Sequence, residues 1–505
     1  MFLETLLSGI SDSSKLTLII IATLPLFWVV SAIYSCWFHP YADIPGPLGA
    51  RISRLWLAKQ VLQGNIDNVQ RALHDKYGPI VRIAPNEVSV SDPAALKLIY
   101  AVNAGFTKTD FYAPFASHIS PNEDLFTQRD EKHHAHRRRL VNALYSLSSV
   151  LESERFIDAC TATFMSRLEE FVDSGETVDL GLWLQMYAFD VVGELFYGRQ
   201  FGFMETRSDY EGYIESLDTL MPAVAAASVL PSYVRPFQVL GHLFPQVHKA
   251  LVCYDNIVIA AKQTVNNRMQ LMREGGVKRS DLLDKLFRIA AEKEEFTTAD
   301  VTTEAWVSMF AGSDTTAIAM RSILYNLMKA PEAYDKVMAE IDAAAAEGRL
   351  SDPVKYSEAI QMPYFIACCK EGFRMHPSVG MSMPRHVPPS GVTICGRFFP
   401  GGSRVGMSAT VIHFDQNIFG QDAKIFNPDR WFRTGAENMD RFMMHFGAGP
   451  RTCIGKHISL TEIYKLIPNM LRHYRIELVD PKKELKTLNF WFNKQVGLNV
   501  KVTKR

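Results

Sequence analysis

Residues 446–457, FGAGPRTCIGKH, place one cysteine among three glycines directly ahead of a helix expected from Ile454 onward. Glycines there let the backbone approach a bulky group closely and leave amide N–H donors pointing at the sulfur. A helix N-terminus beside a thiol favours its thiolate form. Alone in a chain, a cysteine defaults to inert core packing; in this setting Cys453 reads instead as an anionic ligand.

Two other stretches put polar groups where they cost free energy. AGSDTT (311–316) lies in the middle of a long apolar run. A mid-helix glycine costs about 1 kcal/mol against alanine, and a buried carboxylate costs more unless it is paired. One reading of Gly312 to Thr316 is a kink packed against a neighbour. The other is a locally opened helix whose polar groove accepts a small molecule or water. Further back, EKHHAHRRRL (131–140) runs His133, His134 and His136 into Arg137, Arg138 and Arg139. By itself it fits a metal cluster, a nucleic-acid patch or a solvated helix face. At helical spacing His134, Arg138, Val141 and Tyr145 form one stripe, which its apolar members turn inward, so Arg138 needs a buried anion. Arg137 also lies near that apolar arc, whereas Arg139 and Lys132 are expected to face solvent.

The elements that must position these groups are mostly helical. Helical periodicity dominates from about Leu96 to Arg374, while PIVRIAPNEVSVSD (79–92) alternates like strands. Past Arg374 the chain is rich in Pro and Gly, with strand-like pieces such as GVTICGRFF. The longest helix is expected to start at an N-cap on Thr297 or Thr298 and to end at Pro331. Lacking a charge-rich face, it should run buried through the body. A last helix is expected near 455–474. No repeat or long linker divides residues 51–505, so they form one domain, mainly α with a small β portion.

The N-terminus is of a different kind. No Asp, Glu, Lys or Arg lies between Lys15 and Asp43. As a helix, residues 16–38 span roughly 35 Å, enough for a hydrocarbon core of ~30 Å, and Trp28, Tyr34 and Trp37 suit its interfaces. This predicts a short lumenal segment (1–15), one transmembrane helix (16–38) and a proline-rich hinge (39–50). Arg51, Arg54 and Lys59 follow the span, which leaves the domain on the cytosolic side. Lysine plus arginine equal aspartate plus glutamate at 54 each, which argues against a nucleic-acid partner. Seven cysteines without a CxxC pair argue against a disulfide framework or a zinc site and fit a reducing compartment.

The cysteine stretch resembles the cysteine loop of the cytochrome P450 family, FxxGxRxCxG, with Phe446, Gly449, Arg451, Cys453 and Gly455 in every defined place. EGFR resembles the family's ExxR helix through Glu371 and Arg374, FNPDRW its second arginine segment through Arg430, and AGSDTT its oxygen-binding groove. Order and spacing agree from the proline elbow to the C-terminus. The resemblance implies a cytochrome P450 fold carrying haem b, with Cys453 as axial ligand of the iron, tempered by N–H groups around Gly455 and shielded by Phe446. It implies Ala311, Gly312 and Thr315 over the opposite face, Thr315 hydrogen-bonding dioxygen and Asp314 relaying protons. Glu371, Arg374 and Arg430 become a buried structural network that holds the cysteine loop. In the family's WxxxR register Arg138 meets a haem propionate and His134 stands where tryptophan is common; Arg385 and Arg451 are further propionate partners.

The implied activity is insertion of one oxygen atom from O2 into a lipophilic small molecule, with electrons from NADPH through a separate reductase. Lys132 and Arg139 offer such an acidic partner a positive surface. RMHPSVG and AGSDTTAIA resemble fungal secondary-metabolism members of the pisatin demethylase type, implying a terpenoid, polyketide or alkaloid substrate on the endoplasmic reticulum membrane. Segments 105–119, 221–230, 378–384 and 488–498, rich in Phe, Met, Ala and Val, are the candidate substrate walls. Two alternatives stand beside this one: a haem-thiolate sensor or carrier without turnover, and a member that isomerises or dehydrates without external oxygen. Such members often lose the acid–alcohol pair that Asp314 and Thr315 keep here.

Overall fold

Residues 26–117, 119–230, 243–275 and 279–505 are described by a computed structural model. Most of the body is helical. The longer helices include α1 (Glu131–Val141), α2 (Glu154–Ser174), α3 (Leu180–Val192), α4 (Tyr213–Val229), α5 (Pro245–Arg273), α6 (Thr298–Lys329), α7 (Pro331–Ala346), α8 (Pro363–Met375) and α9 (Lys456–His473).

Helix α6 is the axle of the fold. Thr297 and Asp300 form a capping box at its start, satisfying orphan N–H groups, and Pro331 opens the next helix directly behind it. The helix passes through residues 312–316 without a break, so the expected opening does not occur. Its polar side chains are absorbed without one: Ser313 Oγ donates back to the Met309 carbonyl at 2.8 Å and Thr315 Oγ1 to that of Ala311 at 2.7 Å. Gly312 earns its place by packing, since a Cβ there would stand 3.0 Å from Val192 Cγ2 on α3.

The sheet portion is small and mostly at one side. Strands β1 (Ile80–Ala84), β2 (Glu87–Val90), β3 (Thr107–Lys108), β5 (Arg385–His386) and β8 (Arg404–Gly406) form one sheet in the order β1-β2-β8-β5-β3. Between them in the chain come β4 (Val178–Asp179) and the hairpin β6–β7 (Val392–Ile394, Arg397–Phe399). After α9 follow β9 (Tyr474–Leu478), the hairpin β10–β11 (Lys486–Phe490, Phe492–Val496) and β12 (Asn499–Lys504). The alternation over 79–92 predicts one wet face, but β2 is buried along its whole length. Its polar members find buried partners instead: Glu87 takes Arg54 at 2.7 Å and Ser89 takes His74 at 2.8 Å.

Arg54, one of the three cations that follow the expected anchor, is 8% exposed and committed to Glu87. The last turn of the expected anchor and the hinge are docked as well. Arg82, fully buried, donates to the carbonyls of Ser35 at 2.8 Å and Tyr41 at 3.2 Å, and its amide to Pro45 at 2.8 Å. Of the expected anchor at 16–38, residues 16–25 lie outside the described residues, as does the segment 1–15. Residues 26–38 are helical and expose Leu26, Phe27, Trp28, Val29, Val30, Ile33, Tyr34, Trp37 and Phe38. Among the described residues no helix is long and apolar enough to cross a membrane.

Candidate active site

A cavity of about 300 Å³ lies between α6 and the loop that leads into α9. Cys453 forms one wall and Ala311, Gly312 and Thr315 another. The loop is closed by the Cys453 amide donating to the Phe446 carbonyl at 2.7 Å. Gly449 holds a left-handed φ of 63°, and a Cβ on it would meet the Tyr100 carbonyl at 1.7 Å. Glycine is thus demanded there by the neighbouring backbone rather than by a bulky ligand. Gly455 is the residue ahead of α9, and its amide and that of Lys456 favour the sulfur's charged form, as does Arg138; burial nevertheless pushes the Cys453 thiol up. A metal ion on the cavity side would add to the groups that favour the charged form of this sulfur. The Phe446 ring packs 5.9 Å from Phe373 and 4.5 Å from His445 beside the sulfur loop.

Below the loop, Glu371 on α8 collects five hydrogen bonds: from Arg374 Nε and Nη2 (2.9 and 2.7 Å), Arg430 Nε (2.8 Å), the Asn427 amide (2.9 Å) and Trp431 Nε1 (3.0 Å). Arg374 Nη1 also donates to the carbonyls of His413 and Ala423 at 2.7 and 2.6 Å. All three charged side chains are fully buried. His413 connects this network to the loop. Its Nδ1 lies 3.1 Å from the Arg374 carbonyl and its Nε2 accepts from the Met444 amide at 2.8 Å. Burial, then Arg374, lowers its pKa to about 3, so the ring is neutral and can do both. The sequence reading missed His413, which stands in a plain apolar stretch.

On α6 the expected pair separates. Thr315 lines the cavity, but Asp314 points away from it, accepting from Gln185 Nε2 on α3. Asp314 is 2% exposed, and burial raises its pKa, opposed by Lys494 and Arg321. Arg321 lies seven residues on, on the same face of α6, whereas no spacing rule marks Gln185 as a neighbour.

The third group is cationic. His134, Arg138 and Arg451 all line the cavity, as expected, joined by Lys108 from β3, which the sequence reading passed over. Arg385 lies just behind, donating to Tyr112 Oη at 2.7 Å and the Pro384 carbonyl at 2.9 Å. Arg138 meets only the Thr452 and Pro450 carbonyls at 2.7 and 3.3 Å, and Lys108 Nζ the Phe126 carbonyl. Among the described residues, only Arg451 of these has a carboxylate, Glu131 at 2.8 Å. Burial, then Arg385 and Arg451, pushes the Lys108 pKa well below the usual lysine range, so Lys108 gains its charge only with an anion beside it, and Arg138 and Arg385 are costly buried or half-buried cations unless a dianion joins them. The two propionates of haem supply that charge, its iron supplies the metal ion on the side of Cys453, and the residues therefore fit the group. His134 adds no charge: burial, then Arg451 and Lys108, lowers its pKa to about 3.

The histidines of 131–140 do not converge, since His133 is exposed and His136 faces Glu295 at 3.6 Å. Arg139 and Lys132 face solvent as expected. The division of the arginines is corrected in one respect. Arg137 is also buried, and it turns not to the cofactor side but to Asp300 of α6 at 2.8 Å and Glu304 at 3.6 Å. Of the candidate walls, 105–119, 378–384 and 488–498 contribute Phe115, Val379, Met381, Trp491 and Phe492, while 221–230 contributes nothing. Phe126, Phe196 and Trp306 were not anticipated.

A family model described as cytochrome P450 matches residues 45–502. The chain is 40% identical over 480 residues to cytochrome P450 monooxygenase gsfF of Penicillium aethiopicum, covering 94% of this chain and 95% of that one. It is 35% identical over 469 residues to a pisatin demethylase of Fusarium vanettenii (92% and 90%). To cytochrome P450 monooxygenase cicH of Emericella nidulans it is 34% identical over 458 residues (89% and 91%).

Proposed function

The chain belongs to the cytochrome P450 family and is a P450 monooxygenase, and from that premise we propose that it oxygenates a lipophilic secondary metabolite with electrons from NADPH through a separate reductase. The observation that carries this reading is the meeting of a cavity-facing Cys453, unpaired cations and Thr315 around one largely apolar space. When bound, haem supplies the redox centre, and its thiolate ligand favours O–O cleavage.

The chain's own residues have three tasks. Arg138, Arg385, Arg451 and Lys108 hold the cofactor's carboxylates. Thr315 Oγ1, now bonded to the Ala311 carbonyl at 2.7 Å, turns into the cavity to donate to oxygen. Asp314, whose raised pKa favours a proton, carries it on Oδ2, because Oδ1 is taken by Gln185; a side-chain rotation brings it to Thr315 while the apolar walls exclude bulk water.

Residues 16–38 are proposed as a single-pass anchor in the endoplasmic reticulum membrane, with the domain in the cytosol. In support, residues 26–38 expose apolar and aromatic side chains, and Arg51 and Lys59 follow without the buried pairing of Arg54. Membrane fractions extracted with alkaline carbonate should retain the full chain. The activity test is reconstitution with a P450 reductase, NADPH and isotopically labelled dioxygen. One labelled oxygen atom per product is expected; haem binding without any labelled product would make the protein a sensor or carrier instead.

A further inference from the structure

Resting on the reading of this cavity as an oxygenation pocket, one wall residue has no part in the steps above. Glu304 on α6 is 3% exposed and lines the cavity. It lies seven and eleven residues before Ala311 and Thr315, on the same helical face. Its Oε2 accepts from Tyr145 Oη at 2.8 Å. Its Oε1 has no hydrogen-bond partner among the described residues; Arg137 Nη2 lies 3.6 Å away, beyond hydrogen-bond range.

The neighbouring acids are already satisfied. Asp300 takes Arg137 Nη1 at 2.8 Å, Ser120 at 2.9 Å and the Thr297 amide at 2.8 Å. Asp124 caps its own turn through the Phe126 and Thr127 amides and the Thr127 hydroxyl. Glu304 thus keeps an oxygen that only the longer ion pair with Arg137 approaches; on the α9 side of the same cavity Glu462, 1% exposed, also has an Oε2 without a hydrogen-bond partner among the described residues. A buried carboxyl left short of hydrogen bonds is retained at a penalty unless something else completes it.

The walls around it are aromatic. Trp306 stacks on Phe310 at 5.4 Å and 16°, and Phe115, Phe126 and Trp491 meet at 5.5–5.7 Å. Trp491, at the tip between β10 and β11, has φ of 86°, a conformation that costs a bulky residue about 1–3 kcal/mol and persists where the surroundings fix it. Its indole is held there by Phe111 at 5.4 Å as well.

We propose that Glu304 is the polar anchor of the substrate site and that the substrate is a flat aromatic lipophile carrying a hydroxyl group, held by that hydroxyl about 10–16 Å along α6 from Ala311 and Thr315. A hydroxyl both donates and accepts, so it completes Glu304 Oε1 whether the carboxyl is ionised or protonated. The flat ring system fills the slot between the aromatic walls.

The test is a pair of probes, 4-phenylphenol and biphenyl, titrated against the full haem-loaded enzyme and followed by the binding-induced spectral shift of the haem. Wild type should bind the phenol about fivefold or more tighter, the factor expected of one net hydrogen bond. Glu304→Leu should bring the two probes together while leaving biphenyl affinity unchanged, and Glu304→Gln should keep part of the preference. If the leucine variant yields no holoprotein, Glu304→Met, unbranched and of similar length, takes its place. The proposal is overturned if wild type shows no preference or binds neither probe, if the apolar variant keeps the preference, or if both affinities fall together. Binding is read without turnover, so loss of the preference removes the anchor and leaves the electron-transfer reading standing. Failure of labelled-oxygen incorporation with the preference intact does the reverse.

Discussion

Glu371 and Glu304 are the same residue type, both less than 5% exposed, on opposite sides of the cysteine loop and the cavity. Glu371 accepts five hydrogen bonds, two arginines among their donors, whereas Glu304 accepts one and keeps an oxygen open. A buried acid with every lone pair engaged is complete within the fold, so its work is to hold other parts still. A buried acid left short of partners on a cavity wall is complete only with something the cavity takes in. The contrast is between these two acids: one saturated in the network that reaches the cysteine loop, the other short of partners on the cavity wall.

The sharpest way to break the comparison is Glu371→Gln. It strips the carboxylate from Arg374 and should cost about 3–5 kcal/mol, read as lost haem content and a lower midpoint in denaturant. Trp431→Phe removes one hydrogen bond to the same carboxylate and should cost about 1.5–3 kcal/mol in the same measurement.

His413 adds a pH dependence to the saturated side. Its folded pKa of about 3 lies below the ordinary value of 6.5, so the unfolded chain binds a proton first as pH falls. The stabilisation from its neutral ring is full above the ordinary histidine value and is lost progressively toward the folded one, by up to about 1.4 kcal/mol per pH unit. His413→Asn should flatten that slope between neutral and mildly acidic pH, as measured by denaturant unfolding.

On the open side the expected stability effects are smaller and the functional ones larger. Thr315→Ala removes a hydroxyl bonded only within its own helix. It should leave stability within about 0.5 kcal/mol, while the ratio of product to NADPH consumed falls about tenfold. Unchanged coupling would refute its role with oxygen. Glu304→Gln should likewise change the unfolding free energy by less than about 1 kcal/mol; a loss as large as that of Glu371→Gln would erase the distinction between the two acids.

Much of this was legible in the chain, for reasons tied to spacing. ExxR puts Glu371 and Arg374 one helical turn apart, and their bidentate contact follows from that register. The glycine at 449 is read from the spacing of the cysteine stretch, although what demands it is the distant Tyr100 carbonyl. The capping box at Thr297 and the inward stripe of His134 and Arg138 are local. The partners that complete each site are not local. Lys108 reaches Arg138 and Arg451 only because β3 joins the sheet beside β5, and Gln185 meets Asp314 only because α3 crosses α6 at Gly312.

Sequence alone pointed to the family and to the saturated network, because those depend on residue type and short-range register. The tertiary structure alone decided that α6 stays unbroken, that Asp314 turns from the cavity, that Arg137 serves Asp300 rather than the cofactor, and that Glu304 keeps an open oxygen. Each of these is a matter of which distant chain segment arrives beside a buried polar group, and a buried group's behaviour is set by the partners it finds there.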